Sequence, residues 1–216
     1  MTFNEPWALS GFADDDGVFV PSRCLARVNP LCLAENLAIE PYIVAHHILL
    51  SHAATVQVYR EKYKKNEDEK IGITLFIFWF ELLSNRTIDI KASKIALDFM
   101  FGLWMEPLTN GHYPKRVQIL VGDRLLTFNE TEIDPEYIRY KTNSHVNVTT
   151  FDYNGYLIGP QAYSPYFYIF PKGIRSLLNY TKNRCDDPVI YITENGADNG
   201  NNETQLLRMH LRINSE

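Results

Sequence analysis

The chain has 216 residues, 45% hydrophobic and 22% charged, and a net charge of −5. That length suits one good core or two small domains. The acidic balance argues against nucleic acid, whose phosphates demand a basic footprint. No apolar run reaches the roughly eighteen residues of a membrane span, and the N-terminus has no charged-then-apolar leader pattern. The 13 Tyr and 12 Phe fit either a sugar-stacking site or a well-filled core, and composition alone favours the core. Composition is silent on oligomeric state.

In chain order, Met1-Thr2-Phe3-Asn4-Glu5-Pro6 reads as the end of a strand. It delivers one carboxylate beside one carboxamide, and Pro6 cannot continue a ladder and opens a loop. From Trp7 to Pro41 no period holds, and a long irregular segment of this kind is often functional. Asp14-Asp15-Asp16 reads as a solvated loop, because no partner ligands follow at calcium-loop spacing. The three cysteines, Cys24, Cys32 and Cys185, give neither a disulfide framework nor a Cys-x-x-Cys metal site. Cys24 and Cys32 share one loop and are close enough to be bridged. Cys185 would then be the odd thiol, buried or inert.

Residues 41–64 are predicted to be a helix, with Tyr42, Ala45, Leu49, Ala53, Val56 and Tyr63 at near-helical spacing and Pro41 in its first turn. His46, His47 and His52 include no pair four apart, so no facing metal pair forms. A charged connector over 65–70 leads to Ile71–Trp79, a near-continuous apolar run expected to be a strand buried on both faces. Residues 91–105 are again helical, with Ile95, Phe99, Gly102 and Leu103 on the apolar face. Lys115–Leu126 reads as a short helix and loop, and Ile174–Asn183 as a further helix. Val189-Ile-Tyr-Ile192 is expected to be a short buried strand, running into Thr193-Glu194-Asn195-Gly196.

Cleaving a glycosidic bond takes two carboxyl groups, one protonating the leaving oxygen and one attacking or shielding the anomeric carbon. Thr-Phe-Asn4-Glu5-Pro at one end and Ile-Thr-Glu194-Asn-Gly at the other supply such a pair. With them stand Trp79-Phe80-Glu81, Glu106-Pro107-Leu108, Gly111-His-Tyr-Pro114, Gly159-Pro160-Gln161 and Tyr168-Ile-Phe-Pro-Lys-Gly-Ile174. In these motifs and their order the chain resembles the family 1 glycoside hydrolases, most closely plant β-glucosidases of the cyanogenic type.

The resemblance implies an α/β fold, a TIM (β/α)8 barrel, and the alternation of parallel-type strands with helices agrees with it. Catalytic groups sit at the C-terminal ends of strands in that fold. The barrel would be incomplete, keeping the end of strand 4, strand 5 and strand 7 and lacking strands 1–3, 6 and 8. The pattern breaks between Asn129 and Thr142, where a strand is skipped. A single domain over residues 1–216 is expected. By resemblance, Glu194 is the nucleophile, Glu5 the general acid and base, and Asn4 a hydrogen-bond partner of the sugar 2-hydroxyl. Phe12 and Phe19 stand where relatives place aromatics against the aglycone, although a loop-anchoring role fits them equally, and Tyr166 replaces an aglycone-stacking Trp. Glu81 gains no catalytic part.

The resemblance also implies a disulfide between Cys24 and Cys32, a small β-glucoside substrate, and no metal or organic cofactor. Sequons at Asn85, Asn129, Asn147, Asn179 and Asn202 fit an ancestor that used the secretory route to vacuole or exterior. The alternative reading is a catalytically inactive fragment or sugar-binding pseudoenzyme.

Overall fold

The computed structural model describes residues 1–13 (12 and 13 by backbone alone), 20, 39–64, 69–128, 144–165, 167–194 and 196. The chain divides into two compact units, Met1–Asn147 and Val148–Glu216. Among the described residues, β-pairing is confined to three isolated bridges, and no helix is long and apolar enough to cross a membrane.

The first unit is built on helices. Pro6–Ala8 form a single turn, α1, which runs into a wider π-type turn over Leu9–Ala13. Pro6 therefore starts a helical turn instead of the expected loop; its fixed φ and missing N–H suit the first helical position. The long helix α2 spans Glu40–Lys62 with Pro41 in its first turn, as its spacing predicts. Only its N-terminal half is covered: Pro41, Tyr42, Ala45, His46, Ile48 and Leu49 are buried. Ala53 and Tyr63, assigned to the buried face by periodicity, are exposed, and Val56 is half-buried. Period marks a face, but a face is buried only where another element reaches it.

The helix expected over 91–105 is longer. It begins as α3 at Thr87–Leu97, widens to a π-turn over Asp98–Gly102 and continues as α4 at Leu103–Asn110. Gly111, at φ 74°, ends α4 in the left-handed conformation that glycine adopts without steric cost. Helix α5 follows at Lys115–Val121 with a 3-10 turn over Gly122–Arg124, matching the short helix and loop. The core joins Tyr42, Ala45, Ile48 and Leu49 of α2 to Leu103, Trp104, Tyr113, Val117, Val121 and Leu125. Arg116 pairs with the fully buried Asp98, and Arg124 closes α5 through Nε to Val121 O at 2.9 Å.

The apolar run of residues 71–80 pairs in parallel with residues 2–5, through Thr2 N–H to Gly72 O at 2.8 Å, Thr74 N–H to Phe3 O at 3.0 Å and Glu5 N–H to Thr74 O at 2.9 Å. The expected burial on both faces does not occur: residues 73–80 are half-buried. A parallel strand loses both faces to solvent exclusion only when packed elements cover both.

In the second unit Phe151 bridges Leu157 antiparallel, and Asp152 caps the turn between them through Oδ1. A second antiparallel bridge joins Gln161 to Tyr168. Gly159 lies against it, where a Cβ would stand 2.1 Å from Ile169 O, so no larger residue fits. Helix α6 spans Pro171–Arg184, three residues longer at its start than Ile174 because Pro171 opens it. Cys185, just after it, is buried. Val189, Ile190, Tyr191 and Ile192 are 72%, 43%, 65% and 56% exposed. The expected buried strand is thus an exposed segment, since apolar composition marks what prefers burial and not what achieves it.

Candidate active site

Glu5 is set at the end of the parallel ladder. Thr74 brackets Asn4, donating to Phe3 O and accepting from Glu5 N–H, so the register of this carboxylate is tied to the neighbouring run. The backbone then reverses within one residue: Glu5 has φ 45° and ψ 56°, the left-handed conformation. A residue before proline favours extended backbone, and a side chain in the left-handed region adds about 1–2 kcal/mol of steric cost. The strain is held by two bonds, Glu5 N–H to Thr74 O and Ala8 N–H to Glu5 O at 2.8 Å. Sparsely populated backbone held in this way concentrates at functional sites. Glu5 is half-buried and Asn4 is exposed, so both side chains are accessible to a ligand.

Three aromatic rings stand beside this turn, and motif reading did not group them. Trp7 lies 6.1 Å from Phe76 and 6.2 Å edge-on from Phe78, and the two Phe rings meet edge-on at 4.8 Å. Phe76 and Phe78 share a face because side chains of an extended chain alternate. The i, i+2 spacing of bulky rings was the available signal, hidden within a run that is apolar throughout. Trp79 donates to Glu81 Oε2 at 2.7 Å, which gives Glu81 a structural partner.

Helix α2 backs the ladder. His52 Nδ1 is 2.7 Å from Thr2 Oγ1, and burial first, then the Arg60 charge, hold its pKa below the ordinary value. A groove of about 500 Å³ runs along α2 between Leu49, His52, Val56, Arg60 and Leu108. Neither Asn4 nor Glu5 lines it, so it is separate from the carboxylate.

Glu194 belongs to the second unit, where it is exposed on the segment following Ile192. Of the other expected site residues, Phe12 has its backbone in the π-turn after α1, its side chain lying outside what is described. Phe19, Tyr166, Cys24 and Cys32 also lie outside the described residues.

Glu5 thus stands at the carboxyl end of a parallel-paired segment backed by helices, the kind of position in which α/β barrels carry their catalytic groups. The family whose description is "Glycosyl hydrolase family 1" matches residues 1–156, which includes Glu5 and stops short of Glu194. The chain is 41% identical to beta-glucosidase 24 of Oryza sativa subsp. japonica over 98% of its own length and 47% of that protein. It is 39% identical to a cyanogenic beta-glucosidase of Trifolium repens, covering 97% of this chain and 55% of that one. Among solved structures, the rice Os3BGlu6 beta-glucosidase superposes with a TM-score of 0.88 at 35% identity, over 98% of this chain and 51% of that one. A mutant of that rice enzyme has been solved in a covalent complex with glucose. This chain belongs to glycosyl hydrolase family 1. Its solved neighbours imply the TIM barrel fold, and the chain spans about half the length of the curated relatives it matches.

Proposed function

We propose that this chain carries the two catalytic carboxylates of a retaining β-glucosidase acting on small β-glucosides. The observation that carries the reading is Glu5, in a family 1 chain, held in a strained turn at the end of a parallel ladder. In the first step the Glu194 carboxylate attacks the anomeric carbon while the bond to the aglycone oxygen breaks. Glu5, entering protonated, gives its proton to that oxygen. In the second step the Glu5 carboxylate takes a proton from water, whose oxygen attacks the same carbon and releases Glu194. Such chemistry needs the carboxyl groups about 5–5.5 Å apart. The covalent glucose on the rice relative supports a retaining course. Asn4, exposed beside Glu5, serves the 2-hydroxyl, and the rings of Trp7, Phe76 and Phe78 offer apolar surface next to the same turn. Phe12, Phe19 and Tyr166 contact the aglycone in this reading.

The barrel is incomplete in the same proposal, and residues 1–216 form its single domain. In support, 236 aligned positions are needed to match beta-glucosidase 24, more than the 216 residues of this chain, so the relative carries residues this chain lacks. A Cys24–Cys32 bridge, and glycans on Asn85, Asn147 and Asn179, which are exposed, accompany secretion to vacuole or exterior. A second reading, an inactive chain with inherited motifs, is favoured by the exposure of Val189–Ile192 before Glu194. Displacement of a catalytic group by about 1 Å costs on the order of a hundredfold.

The test is the intact mass of the purified, folded chain after incubation with an activated 2-fluoro-glucoside. One adduct mapping to Glu194, with aryl β-glucoside hydrolysis lost in Glu5→Gln, is the expected result. Folded protein with no adduct would establish the second reading.

A further inference from the structure

We infer that His52 is a positioning residue for Glu5: through the Thr2 hydroxyl it fixes the register of residues 2–5 against residues 72–74. The inference rests on the reading of Glu5 as the acid and base.

Three contacts meet at Thr2. Its amide donates to Gly72 O at 2.8 Å, its hydroxyl lies 3.2 Å from the same oxygen, and His52 Nδ1 is 2.7 Å from that hydroxyl. Two proton arrangements satisfy a neutral ring. Either Nδ1–H donates to Oγ1 while the hydroxyl donates to Gly72 O, or the hydroxyl donates to Nδ1 and the amide alone holds Gly72. In both, Thr2 is tied at once to the neighbouring strand and to α2. Burial and Arg60 keep the ring neutral at neutral pH, the state both arrangements use.

The consequence reaches Glu5 because side chains alternate along an extended chain. A slip of one residue would exchange the faces of Asn4 and Glu5 and break the bond from Glu5 N–H to Thr74 O that holds its left-handed turn. Thr2 is the only hydroxyl residue among the six of the first motif, so it alone in that stretch can register the strand through a side-chain hydroxyl. His52 sits on a 23-residue helix whose N-terminal half is anchored in the core, which makes it a firm point of attachment.

The test is residue-resolved hydrogen exchange on the full chain as wild type, His52→Ala, His52→Asn and His52→Leu. Loss of the bond is expected to raise exchange at the Glu5 and Thr74 amides about tenfold in the Ala and Leu variants. Asparagine, whose carboxamide can reach Thr2 Oγ1, restores the wild-type rates, and α5 amides stay unchanged in all four. Unchanged Glu5 and Thr74 exchange in His52→Ala overturns the inference. So does rescue by leucine as complete as by asparagine, which would show that His52 only fills space. The glycosyl adduct on the wild-type chain decides the catalytic reading separately. Where it forms, His52→Ala should slow glucosides with poor leaving groups, which need the acid, about tenfold more than the activated reagent, which does not.

Discussion

The two segments that end in the candidate carboxylates are alike in sequence and unlike in structure. Thr2-Phe3-Asn4-Glu5 is hydrogen-bonded to a parallel neighbour, tied to α2 through His52 and flanked by Trp7, Phe76 and Phe78. Ile190-Tyr191-Ile192-Thr193-Glu194 is exposed, with Tyr191 65% accessible. Both are short runs that end in a Glu with a carboxamide beside it. The difference lies in what surrounds them. The first has a core behind it, built from α2, α4 and α5, whereas the second follows α6, whose buried residues are only Gly173 and Thr181. Each motif supplies a carboxylate, and the elements packed around it decide whether that carboxylate has a fixed address.

The strongest way to break the contrast is to remove the core of the first unit. Trp104 is completely buried, and Trp104→Ala should destabilise that unit by about 3–5 kcal/mol, read as a lower urea midpoint for exchange of α2 and α5 amides. In the single-domain reading amides of α6 lose protection with them; unchanged rates there would mean that the two units unfold separately.

Acid should act in the same direction. His46 is buried, 3.0 Å from the Tyr113 hydroxyl and 4.5 Å from the Phe128 ring. Burial, and secondarily His47, lower its pKa. The unfolded chain therefore binds this proton first. Stability from the neutral ring is fully present above about pH 6.5 and falls as the pH drops toward the depressed folded value. His52 contributes with the same sign. Urea midpoints between pH 8 and pH 5 should decline, with a shallower decline in His46→Phe.

Glu5→Gly should stabilise the first unit by about 1 kcal/mol, because glycine adopts φ 45° without the steric cost a side chain carries there. The same change removes the proposed acid, so a higher urea midpoint should coincide with loss of any hydrolysis of aryl glucosides. A lower midpoint would mean that the Glu5 side chain, not its backbone, stabilises the turn.

The smallest effect sharpens the other side. Ile192 is 56% exposed, and Ile192→Ser should change the stability of the second unit by under about 0.5 kcal/mol. A loss above about 2 kcal/mol by the same urea titration would show that this segment is buried in the protein as it exists in solution.

Helix α2 and its first turn were legible because a 3.6-residue apolar repeat and a proline at its start are local properties of the chain. So were α5, α6 and the two carboxylate motifs, each carried by a few adjacent residues. The left-handed turn at Glu5 was not, since a residue before proline ordinarily stays extended and only the bonds to Thr74 and Ala8 hold it otherwise. The π-turn over Asp98–Gly102 hid for a like reason: an extra residue per turn leaves the composition helical while rotating the face that reaches the core. Trp7 is far in sequence from Phe76 and Phe78 and joined their rings only on pairing.

By itself, then, the sequence determined the family, the order of helices α2 to α6 and the two motifs that name a chemistry. Tertiary structure alone decided which apolar runs are covered, how Glu5 is turned, and that Thr2 is held from both sides. The reason is that hydrophobicity and periodicity are properties of a residue and its near neighbours. Burial, register and backbone strain are set by partners many residues away, as Thr2 is by Gly72 and His52.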